Sequence, residues 1–554
     1  MSVAKTYVEL HPAAKVVLLD DADTVGGVWA EHRLYPGLVS NNLLGTYEYS
    51  DFPMDKSYGV EPGQPIPGTV VHKYLEDYAK RFGVLGRIRF KSKVETAERK
   101  EGDGWILTVS SGGQQNQIHT SKLVVATGLT SEPFMPALAG SDKFDGMIFH
   151  SKDFCRQAMS LETVKSVVVY GGHKSAWDVA YEYATAGAEV HMVIRESGRG
   201  PIWMCPPYVT PLKQRLEQLV HTRFLTWLSP CIWGNADGYS GIRNFLHGTA
   251  FGRGIVNAFW AILGNDVVTL NGFDKHAETK KLKPWSNPMF IAAGLSILNY
   301  RTNFFDLVRE GKIKVHIADI DSLSGSNVRL STGDVLTTDA LICATGWRHH
   351  PPIKFLPDGI DGQLGLPHFS KQPDKLAQKA DEEILTRFPR LKDQPVPNPK
   401  ARPLEARPSM SPAAIQPNQP YRLYRFMVPP ALINDCSIGF AGAVMTVCTS
   451  LIVQTQALWL SAYFDGKIRP VDDIAYETVL HSQFGKWRYP AGHGARFPDF
   501  AFDGIPYVDL LLSELGLRTH RKKGWLAELF SPYGPQDYQG LVEEWRDQNT
   551  NIRA

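Results

Sequence analysis

The glycine pair Gly171-Gly172, the helix opening Lys174-Ser175-Ala176 and Arg195 form the most chemically suggestive spacing in this chain. They lie in VVVYGGHKSAWDVAYEYATAGAEVHMVIR, residues 167–195. A β-branched run breaks at the glycines. The next segment keeps Ala176, Val179, Ala180 and Tyr183 on one helical face, and a second apolar run covers 189–194. Such a strand–turn–helix–strand unit aims backbone N–H groups and the positive end of a helix at a pyrophosphate. Arg195 stands 24 residues beyond Gly171, where an NAD site carries an acid; an arginine suits the 2′-phosphate of NADP. Lys174 and Ser175 are expected to neutralise phosphate and cap the helix. His173 takes the place of the second glycine in G-x-G-x-x-G and crowds the pyrophosphate unless the turn shifts onto Gly172.

Other chemistry is missing from the residue pattern. There is no spaced carboxylate pair, no G-x-S-x-G and no H-E-x-x-H. His349-His350 lacks a third ligand, so no metal is expected. The 59 Lys+Arg against 57 Asp+Glu leave a net charge of +2, which implies no nucleic-acid partner. Six cysteines lie far apart without a C-x-x-C, the pattern of a reduced, cytoplasmic protein. The uncharged run Cys436–Phe464 has the length of a membrane span. Its glycines, threonines and glutamines divide it into a strand-like SIGFAG and a helix-like TSLIVQTQALWLSAYF, so a buried strand–turn–helix is expected instead.

The elements that must hold these residues repeat. Ser2–Leu10 reads as a helix and Lys15–Asp20 as a strand ending in an acid. Such an acid lies about 20 residues after a glycine loop, a count that runs back to Met1. The first strand and glycine-rich loop of this unit are therefore expected to be missing from the chain. Residues 71–83 read as a helix, followed by strands at Arg87–Val94, Trp105–Ser110 and Gln117–Thr120, then Leu123–Gly128, LVVATG. The order recurs with strands Lys312–Ile317 and Val328–Leu330 and the run Leu341–Gly346, LICATG. An α/β fold with two Rossmann-like dinucleotide-binding domains follows, the second inserted in the first. The expected parts are an outer domain over 1–150 and an inner domain over 151–335 with a helical insertion at about 200–300. The outer domain resumes over 336–470 with a proline-rich excursion at 367–420, and a tail covers 471–554.

Four motifs then carry a resemblance. Phe144-x-Gly146-x-x-x-His150-x-x-x-Phe154 looks like the linker signature of flavin-containing monooxygenases, with Phe where the Baeyer–Villiger subgroup has Trp. Gly26-Gly27-x-Trp29 looks like the flavin-contacting turn, and the ATG ends Ala126-Thr127-Gly128 and Ala344-Thr345-Gly346 look like its nucleotide crossings. Gly171–Arg195 looks like the NADPH site. The chain thus resembles the flavin-containing monooxygenases over about residues 2–470, most closely the FAD-dependent monooxygenases of fungal secondary-metabolite clusters, the depudecin cluster among them.

The resemblance implies FAD held by Asp20 and the Gly26-Gly27-x-Trp29 turn, NADPH held by the unit Gly171–Arg195 with Ala176, and Val94, both ATG ends and Gly442 among the cofactor-binding residues. Hydride passes from NADPH to FAD, and a C4a-(hydro)peroxyflavin delivers one oxygen of O2 to a small organic substrate. Hydroxylation or epoxidation is the expected outcome, with Baeyer–Villiger insertion as the alternative and a non-catalytic remnant without FAD as the rival of another class. In SNNLLGTYEYSDFP, Asn41 keeps the family's interval to Asp51-Phe52-Pro53, which implies an amide that holds the peroxide; Asn42 is its neighbour and possible substitute.

Overall fold

The computed structural model describes residues 1–551, apart from 103, 211–212, 293 and 408–416. Helix α1 (Ser2–Leu10) turns Ser2, Ala4, Lys5 and Thr6 inward. β1 (Leu18–Leu19) pairs in parallel with β2 (Ile88–Arg89), which the chain reaches through α2 (Gly68–Arg81). The single strand expected over Arg87–Val94 is interrupted. Lys91 adopts a left-handed φ of 51° and turns the chain before a new strand starts at Lys93. Strands Lys93–Lys100, Gly104–Ser111 and Gln114–Thr120 make the first meander, and Lys354–Leu356 extends it. β3 (Leu123–Val125) follows.

β4 (Met147–His150), β5 (Ser166–Tyr170), β6 (Glu189–Ile194), β7 (Ile313–Ile317) and β8 (Ala340–Cys343) form one parallel sheet in the order β4-β8-β5-β6-β7. Val167, Val168 and Val169 have no exposed surface, as a strand covered on both faces requires. α3 (Lys174–Thr185) covers one face through Ala176, Val179, Ala180 and Tyr183. The meander Ile320–Ser324, Asn327–Leu330 and Val335–Thr337 covers the other through Leu323, Val328 and Leu330. β4 and β8 fall outside the span 151–335 expected for the inner domain, yet both are strands of its sheet.

The insertion between β6 and β7 is rich in helix, with α4 (Ala250–Asn271) as its longest element. The excursion contains α5 (Lys375–Arg387), whose buried Ala380 and Ile384 anchor it to the body. β9 (Ile438–Phe440) pairs in parallel with β3 and leads into the buried helix α6 (Thr449–Phe464), the strand–turn–helix that the uncharged run predicts. No helix among the described residues is long and apolar enough to cross a membrane.

The tail folds back through α7 (Ile474–Arg488) and α8 (Gly504–Glu514). It closes over the insertion, where the fully buried Arg223 donates to Asp509 at 2.6 Å and Glu528 at 2.7 Å. Among the described residues the pairs β1–β2 and β3–β9 share no hydrogen bonds. α1 spans them by packing instead: Ala4 clusters with Leu18, Ala79 and Val84, and the helix lies along α6.

Candidate functional site

At the end of β5 the chain turns through Gly171 and Gly172. A Cβ on Gly171 would stand 2.4 Å from the Ala344 carbonyl oxygen, and one on Gly172 3.0 Å from that of Gly200. Gly171 therefore admits no side chain. His173 has extended backbone and is the N-cap of α3, without a side-chain cap bond. Ser175, expected to cap, instead lines a cavity described below. Lys174, expected at the phosphate, pairs with Asp178 and donates to Asn299 Oδ1 at 2.9 Å. Helix geometry presents that i,i+4 carboxylate to it directly. Ala176 is buried core.

Burial, with the Arg199 charge adding to it, holds the His173 imidazole down at about 4, so it is neutral at pH 7. Arg195 stands at the end of β6 and donates to the Arg402 carbonyl at 2.6 Å and Ser197 Oγ at 2.9 Å. Its Nε faces Asp319 at 3.5 Å but makes no hydrogen bond.

The linker signature resolves into separate tasks. A Cβ on Gly146 would meet the Asp339 carbonyl oxygen at 2.5 Å. His150 Nε2 donates to the Gly346 carbonyl at 3.0 Å, and its Nδ1 accepts from the Lys152 N–H at 3.0 Å. Burial lowers this imidazole to about 4, which keeps it neutral, with the proton on Nε2. Phe154 is fully buried between Tyr35 and Tyr183, each with its ring centre 5.6 Å away. Phe144 packs on the inner meander. The second ATG is tied down as well: Ala344 N–H donates to Tyr170 at 2.9 Å and Thr345 Oγ1 to Phe134 at 2.6 Å.

In the outer half Asp20 follows β1. Its carboxylate accepts from Ala22 N–H at 3.0 Å, and burial raises its pKa. Gly26 and Gly27 both take left-handed φ, and Trp29 Nε1 donates to Tyr47 at 2.6 Å. Ala126 and Thr127 lead to Gly128, where the φ of 67° ends the first ATG. No heavy atom lies within 4 Å of a Cβ built on Gly27 or Gly128. Val94 lies in the first meander, and Gly442 N–H donates to Gln456 at 3.0 Å.

The two asparagines separate. Asn42 Nδ2 donates to Glu217 at 3.1 Å and to the Val447 carbonyl at 2.9 Å, which commits both its protons to structure. Asn41 is exposed, and its Oδ1 accepts from Ser296 at 3.2 Å and Asn299 at 3.4 Å. Among the described residues its amide N–H groups make no hydrogen bond.

A cavity of 220 Å³ gathers several of these parts. Trp29 borders it from the outer half and Ser175 from α3, and Arg33, Thr130, Lys152 and Trp347 also line it. Asn41 is not among the lining residues. Arg33 and Lys152 escape sequence reasoning because they lie 119 positions apart, and neither occupies a fixed position of a motif.

A nucleotide-binding sheet, a repeated ATG plan and a histidine linker around one cavity define a flavoprotein with two dinucleotide domains. The flavin-binding monooxygenase-like family model matches residues 15–232. The FAD-dependent monooxygenase resA of Aspergillus sclerotiorum is 33% identical over 98% of this chain and 95% of its own length. DEP4 of Alternaria brassicicola, also an FAD-dependent monooxygenase, is 31% identical over 99% and 93%. Among solved structures, cyclohexanone monooxygenase in its open form aligns with a TM-score of 0.59 at 15% identity, covering 93% of this chain and 95% of that one; it shares the fold. The chain belongs to the flavin-binding monooxygenase-like family of FAD-dependent monooxygenases.

Proposed function

We propose that the chain consumes NADPH and O2 to oxygenate a small organic intermediate of secondary metabolism, by hydroxylation or epoxidation. The cavity carries this reading, because the Gly26–Trp29 turn and the first turn of α3 open onto the same space. The outer residues fit a flavin: backbone is bare at Gly27 and Gly128, and Asp20 stands at a strand end where a ribose is held. The inner residues fit NADPH through the closely packed turn at Gly171 and the Arg195 guanidinium at the end of β6. Bound FAD supplies the redox and oxygen chemistry.

The chain's own residues bind, orient and exclude water. His150 locks the linker to the second ATG, and two tryptophans wall the cavity. Asn41 offers an amide donor with no hydrogen-bond acceptor among the described residues, and Phe154 sets the chain apart from the Trp-bearing Baeyer–Villiger subgroup. The six free cysteines are in keeping with a cytoplasmic reaction. The purified protein should show the visible absorption of bound flavin, and NADPH with a pathway intermediate should give a product one oxygen heavier. A colourless, folded protein would overturn the reading.

A further inference from the structure

We propose that Arg33 and Lys152 form a seat for a pyrophosphate oxygen of the nicotinamide dinucleotide, placed where the two domains meet. Arg33 lies four residues beyond Trp29 on the outer side, and Lys152 two residues beyond His150 in the linker. Both line the 220 Å³ cavity.

Their hydrogen-bond partners are all neutral. Arg33 Nη1 donates to the Thr130 carbonyl at 3.1 Å, and its guanidinium lies 4.9 Å from the Trp347 ring centre. Lys152 Nζ donates to the Ser131 carbonyl at 2.7 Å. Among the described residues neither makes an ion pair. The neighbouring carboxylate, Asp153, sits 3.6 Å from Arg156 instead. Burial holds the Arg33 guanidinium down at about 10, still charged at pH 7. Burial also lowers Lys152, and the Arg33 charge lowers it further.

The carboxylate of Asp153 acts favourably on both charges and that of Asp21 on Lys152, yet burial outweighs them, so an anion seated between these two partly desolvated like charges would stabilise the pair. Phosphate is the anion that the surroundings favour. Ser175 brings the first turn of α3 to the same cavity, and that helix start has no side-chain cap. Uncapped N–H groups beside two cations make a phosphate site. Arg195 stands at the far end of β6, suited to the 2′-phosphate, so the seat between the domains serves the pyrophosphate common to NADP and NAD. The inference rests on the NADPH reading above.

Calorimetric titration of the flavin-containing protein with NADP+ and with NAD+ tests it. Arg33→Met and Lys152→Met keep an apolar stem and remove the charge. Each should raise Kd about 10-fold for both dinucleotides, while Arg195→Met should weaken NADP+ alone. Arg33→Lys should recover part of the loss. Without dinucleotide, the Met variants should melt at the wild-type temperature or above it, because a repulsion has gone. Inorganic pyrophosphate should compete with NADP+, and acetate at the same ionic strength should not.

Variants that bind within about twofold of wild type would overturn the seat, as would a lowered melting temperature accompanying the lost affinity. Acetate competing as well as pyrophosphate would overturn the assignment to phosphate. A wild-type protein that binds flavin but neither dinucleotide would overturn the NADPH reading and the seat together.

Discussion

In the inner half five parallel strands share hydrogen bonds without a break from β4 to β7, with α3 on one face and a meander on the other. In the outer half the parallel strands come as two pairs, β1–β2 and β3–β9, and helices α1 and α6 carry the link between them. One plan is thus held together in two ways. The inner ladder is cooperative through its own backbone, whereas the outer half relies on side-chain packing and on whatever its turns grip. Loosely coupled parts are the ones a ligand stabilises most. Flavin should therefore protect the outer half from hydrogen exchange more than the inner.

Ala4→Asp attacks that weak link most severely. Ala4 is 8% exposed within the cluster that joins α1 to β1 and α2. An unpaired carboxylate there should cost about 3–5 kcal/mol. Exchange protection should collapse in β1, β2 and α2 while β5 and β6 keep theirs; uniform loss would erase the contrast between the halves.

Gly171→Ala tests the inner half. Its Cβ collides with the Ala344 carbonyl oxygen at 2.4 Å, and the strain should cost about 1–3 kcal/mol. NADP+ affinity should fall about 10-fold or more with flavin content unchanged.

Acid reports on the linker. The His150 pKa lies near 4 in the fold against an ordinary 6.5. The unfolded chain therefore binds the proton that the fold refuses, and stability falls as pH drops from 6.5 toward 4. His150→Gln should flatten the dependence of the unfolding free energy on pH across that window, by about 3 kcal/mol at most. An unchanged slope would contradict the assignment.

The asparagine pair gives the smallest stability effects and a sharp contrast. Asn42→Ala takes the side-chain donor from the Val447 carbonyl and one of two donors from Glu217, which keeps Thr46, and should cost about 1–2 kcal/mol. Asn41→Ala, at an exposed position, should shift stability by no more than about 0.5 kcal/mol yet lower product formed per NADPH consumed.

Much of the inner half is legible in the sequence, because its signals are local. A β-branched run, a glycine pair and a helical stripe fall within 29 residues, and the His150 linker has fixed spacing. Strand ends are less legible. The two ATG runs read as strand to their glycines, but pairing stops at Val125 and Cys343, ahead of left-handed Gly128 and Gly346. Lys174 reads as a phosphate ligand, and its pairing with the helical neighbour Asp178 appears only in the fold. The task of the tail is invisible locally, since Arg223 meets Asp509 and Glu528 across some three hundred positions of chain. Arg33 and Lys152 converge only once the domains are folded together.

If the cavity between the halves is where dinucleotide and flavin meet, NADPH must reduce the bound flavin there. Anaerobic mixing of the flavin-containing protein with NADPH, followed at the visible flavin band, tests it directly. Rapid bleaching is expected in the wild type, and bleaching slowed about 10-fold or more in Gly171→Ala, with flavin still bound. A bound flavin whose band NADPH leaves unchanged would contradict it.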